Sequence, residues 1–181
     1  MTRRLVSEDP AELVKAEREV RARIGEQPFD FEAMAAISNI YRAANVVRNH
    51  MEQKVLSDYD LSWAAFTVLF VLWIWGEQQT RNLATEAGVT KGTLTGVLKT
   101  LETRGFVLRQ SHPDDGRLVV VRLLPAGRRA IEDVFPRFNE QEVFASSGLG
   151  REERSQLAAL LRIVIRTVGG GSGNPRESGD R

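Results

Sequence analysis

Between Thr80 and Thr100 the chain gathers small hydroxyl, glycine and cationic side chains at a spacing suited to meeting a nucleic acid. Thr90, Thr93 and Thr95 offer hydroxyls and methyls, Lys91 and Lys99 offer charge, and Gly92 and Gly96 remove bulk. A helix that enters the major groove of DNA needs all three properties on its outer face: hydrogen-bonding groups, positive charge and clearance. An ordinary solvent-facing helix would not carry two glycines, since each costs ~1 kcal/mol relative to alanine. Thr80, Arg81 and Thr100 complete the candidate contacts of this stretch. Downstream, His112-Pro113-Asp114-Asp115-Gly116-Arg117 forms a polar tip between two strand-like runs. Arg117 suits insertion into a narrow minor groove, where negative potential concentrates. Asp115 is placed to brace its guanidinium. Arg109 and Arg122, on the strands, suit phosphates.

Other chemistries find little support. Cysteine is absent and histidine is limited to His50 and His112, which excludes disulfides, thiol redox sensing and Cys- or His-rich metal sites. The chain has no Gly-x-Ser-x-Gly elbow, phosphate-cradling Gly-Lys-Ser/Thr loop or His-Glu-x-x-His pair, so the reading is not an enzyme, with no cofactor and no metal. Over 181 residues, 25 Lys+Arg nearly balance 24 Asp+Glu. Between Thr80 and Arg129, however, nine bases face four acids, a local +5, while the remainder is acidic on balance. That asymmetry is the footprint of a phosphate-facing surface. The N-terminus lacks a signal-peptide core, and the apolar run Trp63 to Trp75 is too short to span a bilayer. A cytoplasmic chain without membrane contact is expected.

The elements that must position these residues follow from periodicity and caps. Thr80 is expected to cap a short helix with core positions Leu83, Ala84 and Ala87, and Gly88-Val89 to make a turn. Thr90 caps a second helix with Leu94, Val97, Leu98 and Leu101 inward, which Gly105 ends. Two strands, Phe106 to Gln110 and Leu118 to Leu123, flank the polar tip. Two helices joined by a glycine turn, then a hairpin with an arginine at its tip, describe a winged helix-turn-helix. Upstream, Asp9-Pro10-Ala11-Glu12 opens an amphipathic helix with Leu13, Val20 and Ile24 on one face, ending at Gly25. Asp30 caps a long helix from Phe31 to about Leu56 with two apolar stripes, a pattern favouring burial between two subunits. A loop over Asp58 to Leu61 leads to Ser62, which caps a helix Trp63 to Trp75 stopped by Gly76. Beyond the hairpin, Pro125 opens a helix kinked at Pro136. A last helix, Arg151 to Val168, is expected to bury Leu157, Leu160, Leu161, Val164 and Ile165. The Gly/Ser/Pro-rich stretch 169–181 reads as a flexible tail.

With these residues in place the chain resembles the MarR family of bacterial transcription regulators, over approximately Phe31 to Val168. The matching positions are Leu61-Ser62, Phe66, Val68 and Leu69, then Leu83-Ala84 and Gly88-Val89-Thr90-Lys91. They continue through Thr93-Leu94-Thr95, Leu101 to Val107, the tip His112 to Arg117, and Gly127. The family's Asp-x-Arg wing element falls on Asp115, Gly116 and Arg117. Leu124-Pro125 replaces the usual Leu-Thr before the following helix, and the helix Asp9 to Gly25 is an extension that the typical pattern lacks. The resemblance implies a mainly α fold with a small β-hairpin wing: a winged helix-turn-helix plus a helical dimerisation region. Its expected layout is an N-terminal extension at 1–30, a dimerisation helix at 31–60, the DNA-binding domain at 61–124 and C-terminal dimerisation helices at 125–168.

The resemblance also implies a homodimer on a pseudo-palindromic double-stranded operator, acting as a repressor that leaves DNA when a small aromatic or phenolic ligand binds. For that ligand the residues suggest polar groups on the long helix, Asn39, Arg42, Asn45, Arg48, Asn49 and His50, facing an aromatic-rich helix. Arg42, Asn45, Asn49, Trp63, Phe66, Phe70 and Trp73 are the candidate lining, since an aromatic carboxylate needs an aromatic wall and a cation or amide. The alternative is a DNA-binding repressor or architectural protein without an effector.

Overall fold

A computed structural model describes residues 10–25, 27–111 and 118–170. Among the described residues seven α-helices and three strands run in the order α1 (Pro10–Ile24), α2 (Phe31–Lys54), α3 (Trp63–Trp75), β1 (Gln78–Gln79), α4 (Thr80–Glu86), α5 (Lys91–Thr103), β2 (Val107–Ser111), β3 (Val119–Leu123), α6 (Pro125–Ala145) and α7 (Arg151–Gly170). The chain divides into two compact units, Met1–Phe135 and Pro136–Arg181, with α6 contributing to both.

The caps of the first unit follow the expected chemistry. Asp30 accepts the amide of Ala33 at 2.8 Å and starts α2. Ser62 accepts from Ala65, and Gly76, at φ 73°, ends α3. The two HTH helices meet at Gly88, φ 64°, a left-handed position that glycine occupies without a Cβ penalty. Gly105, φ 67°, closes α5 with Gly105 N–H donating to Glu102 and Phe106 N–H to Leu101. The core sits where α3 crosses this unit: Val68, Leu69 and Leu72 from α3 are buried with Leu83, Leu94, Leu98, Leu101, Val107, Val121 and Ile131.

Three expectations need correction here. The helix-to-helix junction after Lys54 is not a plain loop, because Leu56–Tyr59 form a 3-10 turn with Leu56 fully buried. Thr80 does not cap α4; it is the first helical residue, and the capping position falls on Gln79 without a side-chain bond. That shift has a tertiary cause: Gln78 and Gln79 pair antiparallel with Val121 and Val120, giving a three-stranded sheet in the order β1-β3-β2. The chain leaves a strand directly into the helix, so Thr80 is already inside it. The third correction concerns α7, described below.

Gly127 shows why α6 starts where it does. A Cβ there would lie 2.2 Å from the Phe106 carbonyl oxygen and 2.9 Å from Leu123 Cδ1. That same carbonyl accepts the Leu124 amide at 2.8 Å. The first turn of α6 is thus pressed on the start of the hairpin, a proximity only glycine permits.

In the second unit, α6 continues through Pro136 and ends at Ala145. Ser146 Oγ donates back to Glu142 O, and Glu153 accepts the Gly150 amide at 2.7 Å to start α7. The inward face expected for α7 is not covered: Leu160 is 61% exposed, Ile165 69% and Val168 72%, and none of the helix's residues is buried. Periodicity marks an apolar stripe but cannot say which chain covers it. Gly169 and Gly170, expected to begin the tail, belong to α7; the rest of that expected tail lies outside the described residues. Among the described residues no helix is long and apolar enough to cross a membrane.

Candidate nucleic-acid interface

Recognition chemistry centres on α5. Thr90 caps it, accepting the Thr93 amide at 3.1 Å and sharing a hydroxyl contact with Thr93 at 2.9 Å. Leu94, Leu98 and Leu101 anchor one side in the core, so Gly92, Gly96 and Lys99 lie on the opposite, exposed side. A Cβ added at Gly96 would meet nothing within 4 Å, and at Gly92 only the Thr90 hydroxyl at 3.9 Å. Nothing in the protein's own packing therefore requires glycine at either place. Lys91 and Lys99 are exposed at the two ends of this surface, with Thr95 and Thr100 beside it. Arg81 is exposed on α4, and Thr80 is half-buried at its start. The structure brings these ten sequence-identified positions onto α4, α5 and the α5 cap.

The wing differs. Asp115 and Arg117 lie outside the described residues. Arg109, read from sequence as a phosphate contact, is engaged within the protein. Its Nε donates to Glu102 Oε2 at 2.8 Å, and its backbone N–H donates to Glu102 Oε1 at 3.1 Å. The hydrogen bond from the Arg109 side chain holds the Glu102 carboxyl below the ordinary carboxylate range, and Glu102 in turn raises Arg109. In this structure Arg109 ties β2 to the end of α5, and its guanidinium shares its charge with the Glu102 carboxylate. The sequence pattern missed this because residues 102 and 109 belong to different elements. Arg122, opposite Leu108 in the β2–β3 register, remains exposed.

Arg104 is also committed. One terminal nitrogen donates to the Asp60 carbonyl and the other to the Tyr59 carbonyl, both at 2.8 Å. Its guanidinium lies 4.4 Å from the Phe106 ring centroid. Asp60 takes a left-handed conformation, φ 51°, which presents these carbonyls together. The recognition helix is thereby strapped to the turn that ends α2. Arg109 is balanced by Glu102, and Arg104 keeps its charge but holds its guanidinium on two carbonyls, which leaves Arg81, Lys91 and Lys99 as the uncommitted cations around α5.

The expected aromatic pocket is not assembled as a set. Phe66 is buried in the core, and Phe70 and Trp73 pack on Phe135 at 5.4 and 5.3 Å between centroids. Arg42 turns toward α1, donating to Glu17 at 3.2 Å and Asn39 at 2.9 Å, while Asn45 and Asn49 are exposed on α2. Arg42, Asn45 and Asn49 share one side of α2 at i, i+3 and i+7, but Arg42 is drawn onto Glu17 of α1 and the two asparagines stay exposed, so no polar set faces the α3 aromatics. Only Trp63 among them lines the cavity that does exist near the turn, of about 380 Å³, with Arg48, Glu52, Gly88, Thr90 and Thr93. Arg48 lies 5.8 Å from the Trp63 ring centroid, and Glu52 accepts the Trp63 backbone N–H at 3.0 Å. Arg48 was among the polar groups named on the long helix, whereas Glu52 was not, since α2 is rich in polar residues on every side. A second groove of about 390 Å³ lies between α1 and α2, lined by Val14, Arg21, Phe31, Met34 and Arg42 among others.

Comparison with known proteins agrees with this architecture. The MarR family model matches residues 61–119. The chain is 36% identical over 156 residues to the uncharacterized HTH-type transcriptional regulator YwaE of Bacillus subtilis, covering 84% of this chain and 91% of that one. Among solved structures it is similar to BpsR of Bordetella bronchiseptica, described by the regulation of its DNA binding by 6-hydroxynicotinic acid. The two share 27% identity and a TM-score of 0.64 over 69% of this chain and 94% of BpsR. A cysteine-to-serine mutant of MarR from E. coli, complexed with operator DNA, shares the fold at 24% identity and TM-score 0.68, over 74% and 96% of the two chains.

Proposed function

The chain belongs to the MarR family of DNA-binding transcription regulators, and from that premise we propose that it acts as a homodimeric repressor whose operator binding a small aromatic acid reverses. The observation that carries the DNA-facing assignment is the exposed side of α5, where Gly92 and Gly96 stand before open space between Lys91 and Lys99. Glycine without a packing reason inside a helix is a cost of ~1 kcal/mol that close approach of another molecule explains. Major-groove entry by α5, phosphate contacts from Arg81, Lys91 and Lys99, and minor-groove contact by Arg117 braced by Asp115 make up the reading.

Pairing is supported by apolar surface that one chain leaves uncovered. On α2, Met34, Ile37 and Tyr41 are exposed, Tyr41 by 68%. Val143 and Phe144 on α6, with Leu157, Leu160 and Ile165 on α7, are exposed as well. A second copy covering these helices would bury them, and two recognition helices would then face half-sites about one helical turn, ~34 Å, apart.

The effector site we favour is the Trp63 cavity. Trp63 supplies an aromatic wall, Arg48 a cation for a carboxylate, and Thr90 and Thr93 hydroxyls at the N-terminus of the recognition helix. A ligand there touches α2 and the start of α5 together, so it shifts the equilibrium between spacings of the two helices only as far as it binds one spacing better. The 6-hydroxynicotinic acid of the Bordetella relative is a ligand of this chemistry. The test is a purified full chain, a duplex selected by it from a random-sequence pool, and titration with hydroxylated aromatic acids. Release of the duplex by such an acid, abolished in Arg48→Ala, is expected. Tight operator binding that no aromatic acid alters would refute the effector and leave a plain repressor; failure to select any duplex would refute the DNA-binding reading.

A further inference from the structure

The recognition helix has an unusual hydrogen-bonding state. With Leu94, Leu98 and Leu101 buried, helical geometry directs Gly92, Gly96, Lys99 and Thr103 to the opposite side and sets Thr95 and Thr100 on its two flanks. Each of the three threonine hydroxyls already donates its hydrogen to its own helix: Thr95 to the Lys91 carbonyl at 2.9 Å, Thr100 to Gly96 at 3.3 Å and Thr103 to Lys99 at 2.9 Å. The sequence Lys91 to Thr103 contains no Arg, Asn or Gln, the side chains that read a base with two bonds, and its one carboxylate, Glu102, is held by Arg109. What the outer face presents is methyl groups, glycine Cα atoms, hydroxyl lone pairs and the Lys91 and Lys99 ammonium groups.

We propose that α5 recognises thymine through its 5-methyl group, with Thr95 and Thr100 as the specificity-determining residues and Gly92 and Gly96 as the clearance that lets the methyls seat. This rests on the reading of α5 as the groove-facing helix. Three alternatives on the same face are weaker. Guanine O6 and N7 need a donor, and the Thr95, Thr100 and Thr103 donors are committed. A bidentate adenine contact needs an amide side chain, which the helix lacks. Lysine is a single flexible point charge and favours phosphate or one guanine atom without fixing a register. A threonine methyl against a thymine methyl asks for no free donor, and the major groove displays that methyl on its floor.

The hydroxyl hydrogen bond also explains how the methyl is aimed. With Oγ1 turned back to the carbonyl four residues earlier, the remaining substituent on Cβ is the methyl, and the rotamer is restrained by the bond. The reader is therefore a set of pre-positioned apolar contacts rather than a set of long polar arms.

The experiment uses the full chain and a duplex it selects from a random-sequence pool. Each thymine of the half-site is replaced singly by deoxyuridine, which removes the methyl and keeps the pairing edge. Loss of about fourfold in affinity per contacted methyl is expected, the equivalent of ~0.8 kcal/mol for one buried methyl-sized group. Thr95→Val keeps the methyl and should stay within about twofold of wild type, whereas Thr95→Ser keeps the hydroxyl and should lose about fourfold. Thr95→Ser should also become insensitive to deoxyuridine at the position it reads, and the same pair of variants at Thr100 tests the other flank. Deoxyuridine without effect at every position would overturn the proposal, as would Thr95→Ser and Thr100→Ser binding as wild type while their valine counterparts fail. If no duplex is enriched, the groove-facing reading itself falls, a failure distinct from uracil tolerance on a duplex that binds.

Discussion

Gly96→Ala puts stability and DNA binding in opposition. The added Cβ meets no protein atom within 4 Å, and the residue lies mid-helix in α5, so the fold has nothing to accommodate. Helix propensity alone then favours alanine by ~1 kcal/mol, partly through the entropy that glycine retains when unfolded. For a chain of this size that corresponds to a rise of about 2–4 °C in melting temperature. In the complex the same methyl stands where the groove floor approaches, and forcing a methyl into a packed contact costs about 1–3 kcal/mol. Operator affinity should fall by about 5- to 150-fold. The measurements are a thermal melt of the free protein and a fluorescence-anisotropy titration of labelled operator at fixed salt. A salt series completes them, because the substitution removes no charge and the slope of log affinity against log salt should not move. A variant that melts higher and binds as wild type would refute the reasoning, since the exposed glycine would then serve no approach. A variant that melts lower would show that Gly96 meets a neighbour in the folded protein.

Three further outcomes follow from the contacts around α5. Arg104→Gln removes the fork across the Tyr59 and Asp60 carbonyls, so it should cost about 1–3 kcal/mol in chemical denaturation and weaken operator binding without lowering the salt slope; a slope reduced by one would mean that Arg104 touches phosphate instead. Gly127→Ala drives a Cβ into the Phe106 carbonyl and should destabilise the chain by at least ~1–3 kcal/mol, read as a drop in melting temperature; an unchanged melt would contradict the close approach. For Glu102 and Arg109 the sign is set by a carboxyl whose folded-state pKa is depressed: the pair stabilises the protein above the unfolded carboxylate value of about 4.3 and loses that contribution as pH falls through the lower folded value. Arg109→Gln should therefore be less stable than wild type near neutral pH, and the difference should vanish on acidification below that range; a difference constant with pH would rule out the ion pair as its source.

Much of the recognition unit was legible from local signals. Thr90, Ser62 and Asp30 were readable as caps, because a hydroxyl or carboxylate three residues ahead of a free amide satisfies it whatever the surroundings. Gly76, Gly88 and Gly105 were readable as stops and turns for the same reason, since their positive φ is a property of the residue itself. Strand β1 was not readable: Gln78-Gln79 has no alternation, and it is a strand only because β3 runs beside it. The ligand residues were the weakest reading: Trp63, Phe66, Phe70 and Trp73 form one run of ring contacts along α3, but only packing decides that Phe66 is buried, that Phe70 and Trp73 lie against Phe135, and that Trp63 alone lines the cavity.

By itself, the sequence determined the helices, the caps of α2, α3 and α5, the glycine turns and the sparse outer face of α5, because each depends on contacts within about four residues. Tertiary structure alone decided which cations remain for DNA. Arg104 bonds to carbonyls 44 and 45 residues away, and Arg109 closes on Glu102 across the end of a helix. Nothing in the spacing of like charges distinguishes an arginine that will hold the protein together from one that will meet a phosphate. That choice is made by distance in space, and for this chain it leaves Lys91 and Lys99 exposed on α5 while Arg104 and Arg109 hold it in place.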